Sequence, residues 1–229
     1  MSPSFADIAA AARDAGFEAS ALAPAPGEVP ESLLPDARAV VLLGSAGPAT
    51  WAAFQASPEA ADGAPHPLDR WSRRLADGLA ARFGGAAVLP FDGPPYVPFL
   101  RWAARAEPVW PSRLGMTLHA RKGLWASWRA ALALPGALPD APAPEPGPRP
   151  CDPCAAPCLA ACPVSAFEET PEGPRYDADR CAAHLRSPSG EACREGGCLA
   201  RRACPVGTGF TPSSEQGAFH IAAFLRARP

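Results

Sequence analysis

Eight cysteines lie between positions 151 and 204 of a 229-residue chain, and none precedes Cys151. They form two groups. The first reads Cys151-Asp-Pro-Cys154-Ala-Ala-Pro-Cys158-Leu-Ala-Ala-Cys162-Pro163, and the second is Cys181, Cys193, Cys198 and Cys204-Pro205. Thiolate sulfur is a soft ligand, so this density of cysteine points to metal chemistry or to cross-linking. A cube of four irons and four sulfides needs four thiolates converging on its corners. A tight loop can supply three of them from near neighbours, and the fourth comes from elsewhere in the chain. A proline after that fourth cysteine keeps the chain from closing the site with its own next turn. Cys162-Pro163 and Cys204-Pro205 both have that form.

The first group resembles the bacterial ferredoxin run C-x2-C-x2-C-x3-C-P, whose last cysteine serves the other of two clusters. It keeps the opening C-x2-C and the closing C-x3-C-P, with one additional residue between them. Reciprocity then assigns Cys151, Cys154, Cys158 and Cys204 to one 4Fe-4S cluster. Cys162, Cys181, Cys193 and Cys198 take the second. Three other chemistries use the same residues. Disulfides suit an even cysteine count but need an oxidising compartment. Structural zinc prefers paired C-x2-C knuckles, of which there is one. A single cluster with spare thiols would accommodate the wide spacings of the second group.

The rest of the chain must position these sulfurs. Residues 134–150 (LPGALPDAPAPEPGPRP) are so rich in proline that an extended connector is expected. The resulting division is 1–134 as an α/β domain, 135–150 as linker, 151–207 as a small ferredoxin-like two-cluster domain and 208–229 as a C-terminal helix. The fold class is α+β. In the first part, Ser4 with Asp7 three residues on predicts a capped helix to about Ala15. Ala39–Leu43 (AVVLL) reads as a buried strand, and Leu68, Trp71, Leu75, Leu79 and Phe83 mark a helix ended by Gly84-Gly85. Ala87–Phe91 and Met116–His119 read as further strands, and Ala218, Ile221, Ala222 and Leu225 as one face of the tail helix capped by Ser213 and Ser214.

The cysteine module resembles the iron–sulfur domain of epoxyqueuosine reductases and reductive dehalogenases, and Asp179-Arg-Cys-Ala-Ala-His-Leu matches their stretch around the first cysteine of the second group. Ala10–Glu18, Asp36–Gly44 and Ala103–Ala106 are similar to the reductases as well. Leu114–Trp125, with Arg129 and Leu134-Pro135-Gly136, also resembles the cobalamin-processing CblC proteins. The resemblance implies a corrinoid-binding, nitroreductase-like N-terminal domain, with His119 and Arg129 as corrinoid contacts. It also implies Asp92, in Phe91-Asp-Gly-Pro-Pro, as a catalytic acid, and Tyr96 could offer a hydroxyl beside it.

Each of these residues has a plainer reading. A lone histidine at a strand end is a common structural hydrogen-bond partner. Phe91, Tyr96, Phe99, Trp102, Trp110, Trp125 and Trp128 could floor a macrocycle or simply form core. Gly44-Ser-Ala-Gly47 lacks the lysine and third glycine of phosphate-binding loops and reads as a turn. Arg70, Arg73, Arg74 and Arg82 read as one solvated helix face. A formal charge of −2 gives no global attraction to nucleic acid, and no stretch is apolar and long enough to cross a membrane or serve as an export signal. The expectation is a cytoplasmic iron–sulfur redox protein, served by an electron-donor protein, that passes electrons to cobalamin or a similar acceptor. The alternative is a plain electron carrier whose N-terminal domain docks a partner. Neither nucleic acid nor membrane is expected as a partner.

Overall fold

The structure, a computed structural model, describes residues 3–145 and 147–228. Pro146 in the predicted linker, and Met1, Ser2 and Pro229 at the ends of the predicted first and last segments, lie outside the described residues. Along the chain run α1 (Phe5–Asp14), β1 (Phe17–Leu22), β2 (Ala39–Ser45), α2 (Pro48–Gln55), α3 (Pro58–Ala61) and α4 (Pro67–Phe83). Next come β3 (Ala86–Val88), α5 (Phe99–Ala106), β4 (Val109–Pro111), β5 (Thr117–His119) and β6 (Trp128–Leu134). The last part holds α6 (Pro157–Ala160), β7 (Phe167–Thr170), β8 (Gly173–Tyr176), α7 (Ala178–Arg186), α8 (Glu191–Gly196), α9 (Leu199–Arg202) and α10 (Ser214–Arg226).

These elements divide into two compact units, Met1–Pro108 with Ser127–Pro146, and Val109–Ala126 with Gly147–Pro229. A single cut after residue 134 does not describe them. The β4–β5 hairpin belongs to the second unit because Leu114, Leu118 and Leu124 are buried in one core with Phe167 and Ala200. Residues 135–145, expected as free connector, lie with the first unit, where the Asp140 carboxylate accepts the Phe5 N–H at 2.8 Å.

Unit 1 is a four-stranded sheet of order β1-β2-β6-β3, every pair antiparallel. The antiparallel pairing with helices against the sheet makes the class α+β, as expected. The inner strands β2 and β6 are buried along nearly their whole length, so their sequences run apolar instead of alternating. Helix α1 starts at Ser4, whose hydroxyl accepts the Asp7 N–H while the Asp7 carboxylate accepts the Ser4 N–H, the reciprocal pair anticipated from sequence. Gly16 follows at φ 86°, and a Cβ there would meet the Ala53 Cβ at 2.7 Å, so both conformation and space demand glycine. Trp71 of α4 is the hub, with Phe17 at 4.9 Å and Phe54 at 5.9 Å between ring centroids. Gly44–Gly47 is a turn into α2, where the Thr50 hydroxyl accepts the Ala46 N–H and donates to the Gly16 carbonyl.

The polar face of α4 is neutralised by acids. Arg70 pairs with Asp62, Arg73 with Asp92 and Arg74 with Glu59. Glu59 is only 8% exposed and accepts two hydrogen bonds from Arg74, at 2.5 and 2.8 Å. Those bonds outweigh burial and hold its carboxyl at about 2, against an ordinary 4.5. Because the folded value is the lower one, the pair's contribution is complete above the unfolded value and lost as pH falls from 4.5 toward about 2. Glu59→Gln should therefore lower stability by about 1 kcal/mol near neutral pH. In denaturant titrations the wild type and variant should converge as the pH approaches about 2.

Unit 2 contains two small hairpins, β4–β5 and β7–β8, and a set of short helices. Its core is lined by sulfur. Cys151, Cys158, Cys162, Cys198 and Cys204 all pack against the cluster of Leu114, Leu118, Leu124, Phe167 and Ala200.

Candidate metal centre

All eight cysteines are free thiols in unit 2, half-buried apart from the fully buried Cys193. Two short helices place the Cys-Pro pairs. Helix α6 ends at Ala161, directly before Cys162-Pro163, and α9 ends at Ala203, directly before Cys204-Pro205. The two helices pack against each other. Each Cys-Pro continues as Cys-Pro-Val, and the next residue, Ser165 or Gly207, takes a positive φ of 48° or 76°. This short repeat was not recognised from sequence, although the tetrapeptides Cys162-Pro-Val-Ser and Cys204-Pro-Val-Gly display it. It turns each chain away from its cysteine in the same manner. Gly123 fixes the second copy, since a Cβ there would stand 1.9 Å from the Val206 carbonyl oxygen.

The sulfurs divide into two sets. Cys151, Cys154, Cys158 and Cys204 line one small cavity with Leu118 and Leu124. Burial pushes the Cys158 and Cys204 thiols up, and the neighbouring Cys151 and Cys154 add to both shifts. In the other set, burial pushes up Cys193, with Cys181 and Cys162 as the neighbours that add to it. Cys198 is also pushed up by burial, and its thiol neighbour is Cys181. The Phe167 and Tyr176 rings stack, 4.7 Å between centroids and 12° from parallel, and burial, with Cys181 nearby, pushes the Tyr176 hydroxyl up.

Backbone N–H groups surround the sulfurs. The Ala166 N–H donates to the Cys162 Sγ at 3.2 Å. Ala200 and Arg201 offer theirs to Cys198, and Val206 and Leu124 to Cys204. Such donors favour the thiolate over the thiol and are the groups that orient and tune sulfur ligands. Two guanidinium groups complete the surroundings. Arg113 reaches the Cys151 carbonyl and Glu169, at 3.0 and 2.9 Å. Arg201 donates to the Leu124 carbonyl at 2.6 Å and stacks on Trp125 at 4.3 Å, while its Nε is buried without a hydrogen-bond partner. Unit 2 carries 12 basic and 9 acidic residues, a formal +3.

The donor set, eight free thiols, has the soft-ligand chemistry that iron–sulfur clusters use. Among the described residues no three His, Cys, Asp or Glu side chains are gathered closely enough to hold one metal ion. Four sulfurs around one zinc, with Zn–S near 2.3 Å, would stand only about 3.8 Å apart. Around a cube each sulfur meets a different iron, so the set is more open. Four thiolates outweigh the charge of the cube they hold, and a buried cation such as Arg201 is the counterpart such a site needs.

The other residues singled out in the sequence are each engaged locally. Asp92 accepts from the Leu89 N–H at 2.8 Å and pairs with Arg73, which fixes the turn after β3. Tyr96 is 67% exposed, its ring lying over Gly93. Arg129 bonds Asp69 at 2.5 Å and the buried Ser72 hydroxyl at 3.2 Å, tying β6 to α4. His119 belongs to unit 2 and is buried; its Nδ1 accepts the N–H groups of Arg121 and Lys122 at 2.9 and 3.2 Å, closing the turn that leads to Gly123. The seven aromatics do not make one floor. Trp110 and Trp125 are in unit 2, Phe99, Trp102 and Trp128 are buried in unit 1, and Phe91 and Tyr96 are exposed. Tyr176 and Arg201 were not anticipated from the sequence.

Solved structures share this fold. An epoxyqueuosine reductase with an epoxyqueuosine-modified tRNA stem loop matches with a TM-score of 0.53 and 16% identity, over 93% of this chain and 69% of that one. A Bacillus subtilis epoxyqueuosine reductase matches with a TM-score of 0.51 and 16% identity, over 93% and 69% of the two chains. CblC, a B12-trafficking protein of C. elegans, matches with a TM-score of 0.51 and 14% identity, over 96% and 95%. The fold is therefore the one expected from the resemblance in the sequence. No family model and no curated protein sequence matches the chain. The expectation that the chain takes no nucleic acid gains nothing from a neighbour solved with a tRNA stem loop. Among the described residues no helix is long and apolar enough to cross a membrane.

Proposed function

We propose that this chain is an iron–sulfur redox protein whose second unit holds two 4Fe-4S clusters and whose first unit takes a corrinoid or similar electron acceptor. Cys151, Cys154, Cys158 and Cys204 are the ligands of one cluster, and Cys162, Cys181, Cys193 and Cys198 those of the other. What supports this above all is the division of the thiols into two sets of four, each containing a Cys-Pro cysteine from the other group. Bound clusters supply one-electron storage and transfer. The protein's part is to present the sulfurs, shield them with Leu118, Leu124 and Phe167, and aim backbone N–H groups at them. Free thiols of this kind belong in a reducing compartment, so the proposed location is the cytoplasm, with a donor protein supplying electrons.

The corrinoid acceptor rests on the likeness to a B12-trafficking protein over nearly the whole chain. A plain electron carrier is the second reading. It is favoured by the local engagement of Asp92 and Arg129, which leaves neither carboxylate nor guanidinium waiting for a cofactor. Anaerobic purification should yield about eight irons per chain and a paramagnetic signal on reduction. Titration of that protein with hydroxocobalamin should shift the cobalt absorption spectrum. An unchanged spectrum at full cluster content would sink the corrinoid half and leave the carrier. A zinc-loaded, iron-free preparation would sink both.

A further inference from the structure

Arg113 stands in the turn between β4 and β5, and it lines the small cavity bordered by Cys151, Cys154, Cys158 and Cys204. The three nitrogens of its guanidinium are not used alike. Nη1 donates to the Glu169 carboxylate at 2.9 Å, and Nη2 donates to the Cys151 carbonyl at 3.0 Å. The third nitrogen, Nε, is buried and has no hydrogen-bond partner among the described residues. Buried polar groups are normally satisfied, so an orphaned N–H on a residue that borders four sulfurs calls for an acceptor.

Holding the loop in place does not account for that N–H. The hairpin is tied to the start of the cysteine loop by the Nη2 bond to Cys151 and by Arg149, whose Nε donates to the Pro111 carbonyl at 2.9 Å. Neither bond uses Arg113 Nε. A trapped water is a poor acceptor here, because a buried water needs two or more polar partners. Beyond Arg113 and the sulfurs, the lining is mostly proline and aliphatic, and the Ser112 hydroxyl already accepts the Leu114 N–H at 3.2 Å. The acceptor that suits this N–H is therefore a sulfur of a cube held on those four cysteines, which carries the negative charge that strengthens a guanidinium bond.

Resting on the two-cluster reading, we infer that Arg113 is the hydrogen-bond donor and counter-charge of the Cys151, Cys154, Cys158 and Cys204 cluster, its Nε–H serving a sulfur of that cluster. The bonds to Glu169 and to the Cys151 carbonyl fix the guanidinium, so the donor is in place before an electron arrives. An N–H donor and a positive charge beside a cluster both favour its reduced, more negative form. Reduction adds one electron and breaks no bond. Arg113 thus sets the potential of this cluster and takes no part in holding its irons.

The test is an anaerobic redox titration of the full chain with dithionite, followed by electron paramagnetic resonance, after the iron content of each variant has been measured. The signal that disappears in Cys204→Ser belongs to the cluster beside Arg113. Arg113→Met should lower the midpoint of that signal, by about tenfold in the reduced-to-oxidised ratio at fixed potential, or about 59 mV for one electron. The other midpoint should stay in place. Arg113→Lys keeps the charge without the Nε–H and should recover part of the loss. A second readout needs no change to the fold: wild-type protein grown with arginine carrying nitrogen-15 at Nε. Electron nuclear double resonance on the same signal should show a nitrogen coupling that is lost in Arg113→Lys. If both clusters are present and Arg113→Met moves neither midpoint, or only the other one, this inference fails while the two-cluster reading stands. Should Arg113→Met not hold the cluster at all, a labelled wild type with no nitrogen coupling on that signal overturns the inference. A wild-type chain without iron overturns both readings.

Discussion

Cys204→Ser should retain about half the wild-type iron, roughly four atoms per chain, and the remaining cluster should be the one on Cys162, Cys181, Cys193 and Cys198. The expectation comes from the cavity in which Cys204 joins Cys151, Cys154 and Cys158, and from the mirrored place of Cys162 among the later cysteines. Serine keeps the side-chain size but not the soft thiolate, so one corner of one cube is lost. Cys162→Ser should show the converse. The decisive readout is the pattern of double variants, because changes acting on one unit are not additive whereas changes on independent units are. Cys151→Ser with Cys204→Ser should be no worse than either alone, since both abolish the same cluster. Cys162→Ser with Cys204→Ser should leave essentially no iron. If the first pair also lost all iron, the ligands would be divided by position along the chain, and the reciprocal assignment would be wrong.

The cysteines of the candidate site were legible because their density and spacing stand out in the sequence alone. The two Cys-Pro pairs, the proline-rich stretch and the absence of cysteine before Cys151 were all visible without coordinates. Local signals of the fold were legible where they were strong. The Ser4–Asp7 capping pair, the apolar AVVLL of β2, the helical face of α4 ended by Gly84 and the Ser213-capped tail helix all appear where expected. Strand β6 was missed although it is an inner strand of the sheet. Its sequence, WRAALAL, is mostly alanine and leucine, and only burial between β2 and β3 makes it a strand. The strand expected at Ala87–Phe91 ends at Val88, because the Leu89 N–H turns to the Asp92 carboxylate instead of a ladder partner. The β4–β5 hairpin could not be assigned to a unit from sequence, since its leucines would suit either core. Tyr176 and Arg201 were invisible for a similar reason. Tyr176 stacks on Phe167 across the β7–β8 hairpin and Arg201 on Trp125, contacts that no spacing rule encodes.

Removing iron should unfold unit 2 and leave unit 1 folded. The buried apolar core of unit 2 that the sulfurs border is small: three leucines, Phe167 and Ala200. The helices that carry its Cys-Pro pairs, α6 and α9, have four residues each, too short to persist without tertiary support. Without metal, half-buried thiols would replace a bonded centre with a loosely filled gap, so binding and folding should be coupled. Unit 1 depends on none of this. Its strands β2 and β6 bury Val40, Val41, Leu42, Leu43 and Leu132 with essentially no exposure, and Trp71 and Trp102 close the core. The measurement is hydrogen exchange by mass spectrometry before and after anaerobic chelation of the full chain. Peptides across residues 151–207 should exchange at least about a thousandfold faster, which corresponds to about 4 kcal/mol. Peptides from β2 and β6 should change little. Should residues 151–207 keep their protection after the iron is gone, the short helices would be held by packing alone, and the sulfurs would have to be read as core rather than as ligands.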